Sequence, residues 1–111
     1  MDRVKEQQQR VIELINRFAN IKPALGNIEN QAVIDTQHNH YQVMSVGWDK
    51  DERVHDCIMH IDLKDGKVWI QSNATDVDIA EELLEEGLTK EEIVLAMHPL
   101  HLRKYTGYAV N

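Results

Sequence analysis

Apolar residues recur at helical spacing near the start of the chain, where they fall on one stripe between residues 3 and 19. The stripe consists of Val4, Val11, Ile12, Leu14, Ile15 and Phe18. Such a stripe is typical of an amphipathic helix that packs one side against a core. Pro23 and Gly26 then interrupt the pattern, so we expect the helix to end before them.

Four strand-like runs follow the break, and short polar turns separate them. They cover residues 28–36, 40–48, 53–63 and 67–73. Asp65-Gly66, between the last two runs, favours a type I′ hairpin turn, because both central residues of that turn take positive φ. The spacing therefore predicts a four-stranded antiparallel meander.

The Asp65-Gly66 turn also predicts a register between the last two strands. It places Leu63 opposite Val68, Ile61 opposite Ile70, and Met59 opposite Ser72, which gathers apolar side chains on one core face. A turn over residues 49–52 similarly pairs Trp48 with Arg53. This second pairing adds four residues to the same core face: Met44, Val46, His55 and Cys57.

The opposite face of the predicted sheet is mixed in character. It carries Tyr41, Val43, Ile58, His60, Asp62, Trp69 and Gln71. Because the core face is apolar, we expect helices to cover it. The chain ends or a partner should cover the mixed face.

The remainder of the chain predicts two short helices and a tail. Thr75 with Asp78 resembles a capping box, and Gly87 is a suitable residue to end the helix that follows. Thr89 with Glu92 repeats the box for a second helix, which Pro99 stops. The second helix would bury Ile93, Val94 and Met97. The fold class is thus α+β, with residues 1–111 as a single domain.

Composition excludes several classes of protein. The 111 residues contain 12 basic and 19 acidic side chains, a formal charge of −7, and no basic cluster longer than Arg103-Lys104. Tight direct binding to nucleic acid is disfavoured, since that affinity comes from cationic contacts to phosphate. The charged first residues do not resemble a signal peptide, and no run suits a membrane span, so we expect a cytoplasmic protein.

Six histidines raise the question of a metal site. His38 and His40 lie at a predicted turn, and His98 and His101 follow the last predicted helix. Neither pair has the cysteine or carboxylate spacing of a familiar zinc site, which needs three or four converging ligands. We therefore predict no metal and no cofactor.

Two enzyme interpretations are weaker than structural ones. Asp49, Asp62 and Lys64 resemble the acidic and lysine residues of metal-dependent nucleases, but the long third strand holds Asp49 about 30 Å from Lys64. Cys57 and His55 share a face in an apolar strand interior, where a cysteine is usually inert. We predict no catalytic residues.

A protein-binding surface is the functional feature that the sequence supports best. Aromatic residues on the mixed face and in the tail, together with an arginine, are typical of protein interfaces. The candidate partner-binding residues are Tyr41, Val43, Ile58, Trp69, Gln71, His98, Arg103 and Tyr105. The alternative is internal packing, in which the first helix or the tail covers the aromatic side chains.

Separated motifs along nearly the whole chain resemble the XisI family, the fdxN element excision controlling factor proteins. These motifs are Tyr41-Gln42, Gly47-Trp48-Asp49, residues 65–71, Asn73 with Thr75, residues 79–83, residues 93–95, and His98-Pro99 followed by Arg103, Tyr105 and Thr106. Their shared order is more specific than any single motif. The tail departs from the family pattern at Leu100 and at Gly107-Tyr108, which bears on the choice of partner more than on the fold.

The resemblance implies a cytoplasmic accessory protein for programmed excision of a DNA element in nitrogen-fixing photosynthetic bacteria. It implies action beside a site-specific recombinase and a XisH-type partner, and it supplies no catalytic residues. The alternatives are a metal-dependent nuclease or phosphoesterase, and a DNA-binding factor that directs recombination. A self-complementary sheet face would also suit a two-fold homodimer.

Overall fold

The computed structural model describes residues 2–24 and 26–111, which form one five-stranded sheet with α-helical segments before and after its strands. The elements are α1 (Arg3–Ala19), β1 (Asn27–Asp35), β2 (His40–Asp49), β3 (Glu52–Lys64), β4 (Lys67–Asn73), α2 (Ile79–Glu85), β5 (Ile93–Leu95) and α3 (Leu100–Arg103). The spatial order is β1-β2-β3-β4-β5. The first four strands form an antiparallel meander, as predicted, and β5 pairs with β4 in parallel.

The α+β class is confirmed, but the predicted strand count of four is wrong. Residues 93–95, predicted as helix, form β5, with Ile93 opposite Val68 and Leu95 opposite Ile70. The capping box of Thr89 and Glu92 is present, yet it starts only a single 3₁₀ turn. The error has a physical reason, since periodicity alone does not distinguish a short buried strand from a short buried helix.

Helix α2 begins later than predicted. Asp78 is its N-cap and accepts a hydrogen bond from the Glu81 N–H at 3.1 Å. Thr75 instead donates from its hydroxyl to Asn73 Oδ1 at 2.6 Å, which places it in the loop after β4. Gly87 ends the helix at φ +103°, as predicted.

The Asp65-Gly66 turn confirms most of the predicted hairpin register. Both residues have positive φ, 54° and 74°, and Ile61 lies opposite Ile70. The predicted contact of Met59 with Ser72 is wrong, because the register shifts and Met59 lies opposite Asn73. Gln71 is the extra residue of β4 at this bulge.

A second bulge, at Ile58, decides which side chains face the helices. Trp48 lies opposite Arg53 as predicted, but the register then shifts between Met44–Cys57 and Val43–Met59. An extra residue in a strand exchanges its two faces beyond that point. The predicted core positions of Met44, Val46, His55 and Cys57 are therefore wrong, and these side chains turn away from α1.

The core lies between the sheet and the two helices α1 and α2. We call the sheet side that faces these helices the inner face and the other side the outer face. Buried side chains of the inner face include Tyr41, Val43, Met59, Ile61, Leu63, Val68 and Ile70. Helices α1 and α2 add Val11, Leu14, Ile15, Phe18, Ile79 and Leu83. Across residues 2–24 and 26–111, no helix is long and apolar enough to span a bilayer.

A polar cluster joins the start of α1 to the turn before β5. Glu92 accepts hydrogen bonds from Arg3 Nε at 2.7 Å, from Gln7 Nε2 at 2.7 Å and from the Thr89 N–H at 3.0 Å. These donors, the Arg3 guanidinium first, lower the pKa of Glu92 from 4.5 to about 2. The ionised carboxylate of Glu92 therefore connects α1 to the turn before β5, two segments that are distant in the sequence.

This cluster predicts a loss of stability in acid. Because the pKa of Glu92 is lower in the folded state, its stabilisation is present above pH 4.5 and declines as the pH falls toward 2. Glu92→Gln should cost about 1 to 2 kcal/mol of unfolding free energy at pH 7, and roughly half as much or less at pH 3. Urea denaturation of both proteins at several pH values measures this difference. Glu91→Gln, an exposed neighbour, should change the free energy by less than about 0.5 kcal/mol.

Candidate functional site

The outer face of the sheet stays open over strands β1 to β3. Cross-strand pairs place Val33, Gln42, Met44, Val46, Trp48, His55 and Cys57 on this side. Val33 is 43% exposed and Trp48 is 50% exposed. This open part of the outer face is mixed in character, although most of its residues differ from those predicted.

The C-terminal tail, residues 96–111, lies over the outer face at β4, where the Arg103 guanidinium contacts the Trp69 ring. The Ala109 N–H donates to the Ile93 carbonyl at 2.8 Å, which forms a parallel bridge between the end of the tail and β5, and Val94 is fully buried. Trp69 is half-buried there, with the Lys64 ammonium 4.8 Å and the Arg103 guanidinium 5.8 Å from its ring centre. The alternative of internal packing thus holds for Trp69, which the tail shields in part.

The Arg103 side chain stabilises the fold of the tail by binding backbone carbonyls of the tail itself. Its guanidinium donates to the carbonyls of His98 at 3.0 Å, Val110 at 3.3 Å and Ala96 at 3.3 Å. These contacts use both terminal nitrogens and Nε. Arg103 was predicted to bind a partner, whereas in the structure its donors serve the fold of the tail.

We expect Arg103→Ala to release the tail from the sheet. Three charge-assisted hydrogen bonds and the contact with Trp69 would be lost, so amide exchange over residues 96–110 should accelerate about tenfold or more. Arg103→Lys should restore little, since one ammonium cannot match the planar fork of donors.

Hydrogen exchange followed by mass spectrometry checks this expectation, with the exposed neighbour Lys104→Ala as a control. Unchanged exchange in Arg103→Ala would show that the tail is held by other contacts.

Exposed apolar side chains concentrate in the same tail. Five of the eleven large hydrophobic side chains that are exposed in the described residues lie between positions 97 and 110. We name them the tail patch: Met97, Leu100, Leu102, Tyr105 and Val110. Tyr105 is 76% exposed and Leu100 is 57% exposed. Such a cluster of exposed apolar side chains is typical of a protein-binding site.

The structure divides the eight predicted partner-binding residues into three groups, and the first, held in internal contacts, consists of Trp69, Gln71 and Arg103. Tyr41 and Val43 are fully buried on the inner face, so their predicted outer position is wrong. The cause is the Ile58 bulge, and Ile58 itself packs against the core. His98 and Tyr105 are exposed in the tail.

Four members of the tail patch were not among the predicted partner-binding residues: Met97, Leu100, Leu102 and Val110. Met97 was assigned to the buried face of a predicted helix that the structure replaces with β5. The available signal was the apolar character of residues on both sides of Pro99, which cannot continue a helix.

The residues of the nuclease alternative lie far apart. Asp49 is opposite Glu52 at one end of the β2–β3 hairpin, and Asp62 is opposite His40 at the other. Ten residues of extended chain between Glu52 and Asp62 correspond to roughly 30 Å. One metal-centred mechanism therefore cannot use Asp49 together with Asp62 and Lys64.

Two histidines and an aspartate do meet on the outer face. His40 Nδ1 and His60 Nε2 each lie 2.8 Å from Asp62 Oδ1. Gln71 Nε2 donates to the other carboxylate oxygen at 3.2 Å. The hydrogen bond to Asp62 raises the pKa of His40. Burial opposes ionisation of Asp62, but the two histidines outweigh it and lower the pKa of Asp62.

The register predicted from the sequence placed His40 on the opposite face from His60 and Asp62, because it lacked the bulge. Without the extra residue Ile58, His40 would lie opposite Ile61 and share the face of the apolar residues. With the bulge, His40 lies opposite Asp62 and beside His60.

Comparison with known proteins identifies relatives over nearly the full length of the chain. The XisI protein family matches residues 1–110. The crystal structure of a XisI-like protein from Anabaena variabilis superposes with a TM-score of 0.90 at 39% identity, covering 97% of this chain and 99% of that one. None of the curated proteins matches.

A second solved structure bears a functional name. It is the fdxN element excision controlling factor XisI from Anabaena variabilis, with a TM-score of 0.85 and 26% identity. The match covers 99% of this chain and 100% of that chain. The sheet, the helices and the tail described above thus have counterparts in solved structures.

Proposed function

The chain belongs to the XisI family, and from this membership we propose that it is a non-catalytic controlling factor in the excision of a DNA element. The observation that carries the proposal is the match over residues 1–110, joined by the structural likeness to the excision controlling factor from Anabaena variabilis. We further propose that the protein acts by binding other proteins in the cytoplasm.

The tail patch supports a binding role. It combines a highly exposed tyrosine with aliphatic side chains, and Tyr is among the residues that contribute most to interfaces. The guanidinium of Arg103 fixes the surrounding backbone, so the patch is presented on an ordered segment. An ordered surface loses less conformational entropy on binding.

The charge of the chain suggests the kind of partner. With a formal charge of −7, the protein would attract a basic or DNA-binding partner and repel acidic ones. Complementary charge mainly accelerates encounter and selects the partner, while apolar contacts supply affinity. We propose a XisH-type protein as the first candidate partner and a site-specific recombinase as the second.

Direct binding to the recombination site is the less favoured proposal. Phosphate recognition needs clustered cations, and the acidic balance of the chain opposes it. The nuclease alternative is also less favoured, since Asp49 and Asp62 lie at opposite ends of the β2–β3 hairpin.

Coexpression with the XisH-type protein of the same genome tests the proposal. We expect the two chains to copurify at physiological salt. The isolated chain should not shift DNA of the excision site, even at low ionic strength where cationic contacts are strongest. Failure to copurify at any salt concentration, together with salt-sensitive DNA binding, would replace the proposal with direct DNA recognition.

A further inference from the structure

The group of His40, His60 and Asp62 has the composition and spacing of a metal site. Its three ligand atoms, two imidazole nitrogens and one carboxylate oxygen, all lie within 4.8 Å of one another. Tetrahedral coordination with bonds of about 2.0 to 2.2 Å places ligand atoms roughly 3.4 Å apart. Small side-chain rotations would therefore bring the three atoms around one ion.

The backbone beneath the group is suited to hold the ligands. His40 and Asp62 form a cross-strand pair between β2 and β3, and His60 lies two residues from Asp62 on the same face. Side chains in these relations stand about 5 to 7 Å apart at Cβ and point in one direction. Strands hold ligands more rigidly than loops do, which favours a defined site.

Two neighbouring residues complete the surroundings. Gln71 donates to Asp62 Oδ2 and so orients the carboxylate, as outer partners of metal ligands commonly do. Asp35 lies opposite His40 across β1 and β2 and adds a second negative charge. With neutral imidazoles, the two carboxylates favour a cation.

We propose that His40, His60 and Asp62 bind one zinc-class divalent ion on the outer face of the sheet. Imidazole and carboxylate ligands together suit Zn²⁺, Ni²⁺ and Co²⁺, whereas Mg²⁺ and Ca²⁺ prefer oxygen ligands alone. Three protein ligands leave a coordination position for water or for a group from a binding partner. The ion would also link β2 to β3 at the open end of their hairpin, away from the turn that connects them.

Calorimetric titration of the chain with ZnCl₂ tests the proposal, using protein without a histidine tag after treatment with a chelator. We expect saturable binding of one ion at neutral pH, and no binding of Mg²⁺ at the same concentration. His60→Ala and Asp62→Asn should each weaken Zn²⁺ binding at least tenfold. Co²⁺ should give visible absorption of a tetrahedral or five-coordinate ion in the wild-type protein, and both variants should lose it.

His55→Ala is the matched control, because His55 is an exposed histidine on the same strand and the same face. It should bind Zn²⁺ within about twofold of the wild-type protein, as expected for a residue outside the site. Thermal melts in chelator should show that all variants are folded. Absence of saturable Zn²⁺ binding, or equal binding by wild type and His60→Ala, would overturn the proposal. The proposed controlling function is tested with a protein partner and would survive that result.

Discussion

Gly47→Ala is expected to lower the free energy of unfolding by about 2 to 4 kcal/mol. A Cβ at this position would lie 1.9 Å from the carbonyl oxygen of Asn27 and 2.7 Å from Cα of Ile28. Both atoms belong to the backbone of β1, which cannot move aside as a flexible side chain could. The variant must therefore displace the edge strand from β2.

Urea denaturation measures the effect, and hydrogen exchange locates it. Amides of β1 should lose protection first, because β1 pairs with no strand other than β2 in the described residues. Gly107→Ala is the control: Gly107 has φ +84° and no atom within 4 Å of an added Cβ. It should cost only about 1 kcal/mol from backbone strain. A Gly47→Ala variant as stable as wild type would show that β1 is not closely packed there.

Local signals in the sequence predicted much of this fold. Helix α1 and strand β4 have the predicted bounds, since a clean apolar stripe and a strong turn dipeptide define them. The turn at Asp65-Gly66 fixed the register of its hairpin for the first pairs. Pairing rules near a turn are local, and local rules depend little on the rest of the molecule.

One residue of β3 explains why several side chains were predicted on the wrong face of the sheet. Ile58 is an extra residue in the pairing of β2 with β3, and nothing in its neighbourhood distinguishes it from an ordinary strand residue. Once the faces exchange, Tyr41 enters the core and Cys57 becomes exposed. Bulges depend on how the sheet curves over α1, which is a tertiary property that a strand pattern does not contain.

The candidate binding residues also divide into those that local sequence predicts and those that depend on tertiary structure. His98 and Tyr105 were predicted from the composition of the tail, and both are exposed. The structural role of Arg103 depends on three carbonyls that converge only after the tail folds back. The group around Asp62 needs the Ile58 bulge to form.

The second large effect concerns the tail patch. A Leu100→Ser, Tyr105→Ser double variant should bind the XisH-type partner about 10 to 100 times more weakly than wild type. The two side chains are the most exposed members of the tail patch. Neither side chain takes part in the hydrogen bonds of Arg103, so the tail should keep its fold.

Ile21→Ser provides the matched control for this variant. Ile21 is 52% exposed and lies beyond the end of α1, outside the tail patch. It removes a comparable apolar side chain from the surface, so its affinity for the partner should stay within about twofold of wild type. Unchanged amide exchange over residues 96–110 in the double variant would confirm that only the surface has changed.

The most direct measurement of the proposed role is a calorimetric titration of the purified chain with its purified XisH-type partner at physiological salt. We predict saturable binding by wild type, the same affinity in Ile21→Ser, and a loss of at least tenfold in the Leu100→Ser, Tyr105→Ser variant. No heat of binding with the wild-type chain, or equal affinity in all three proteins, would contradict a controlling factor that acts through its tail patch.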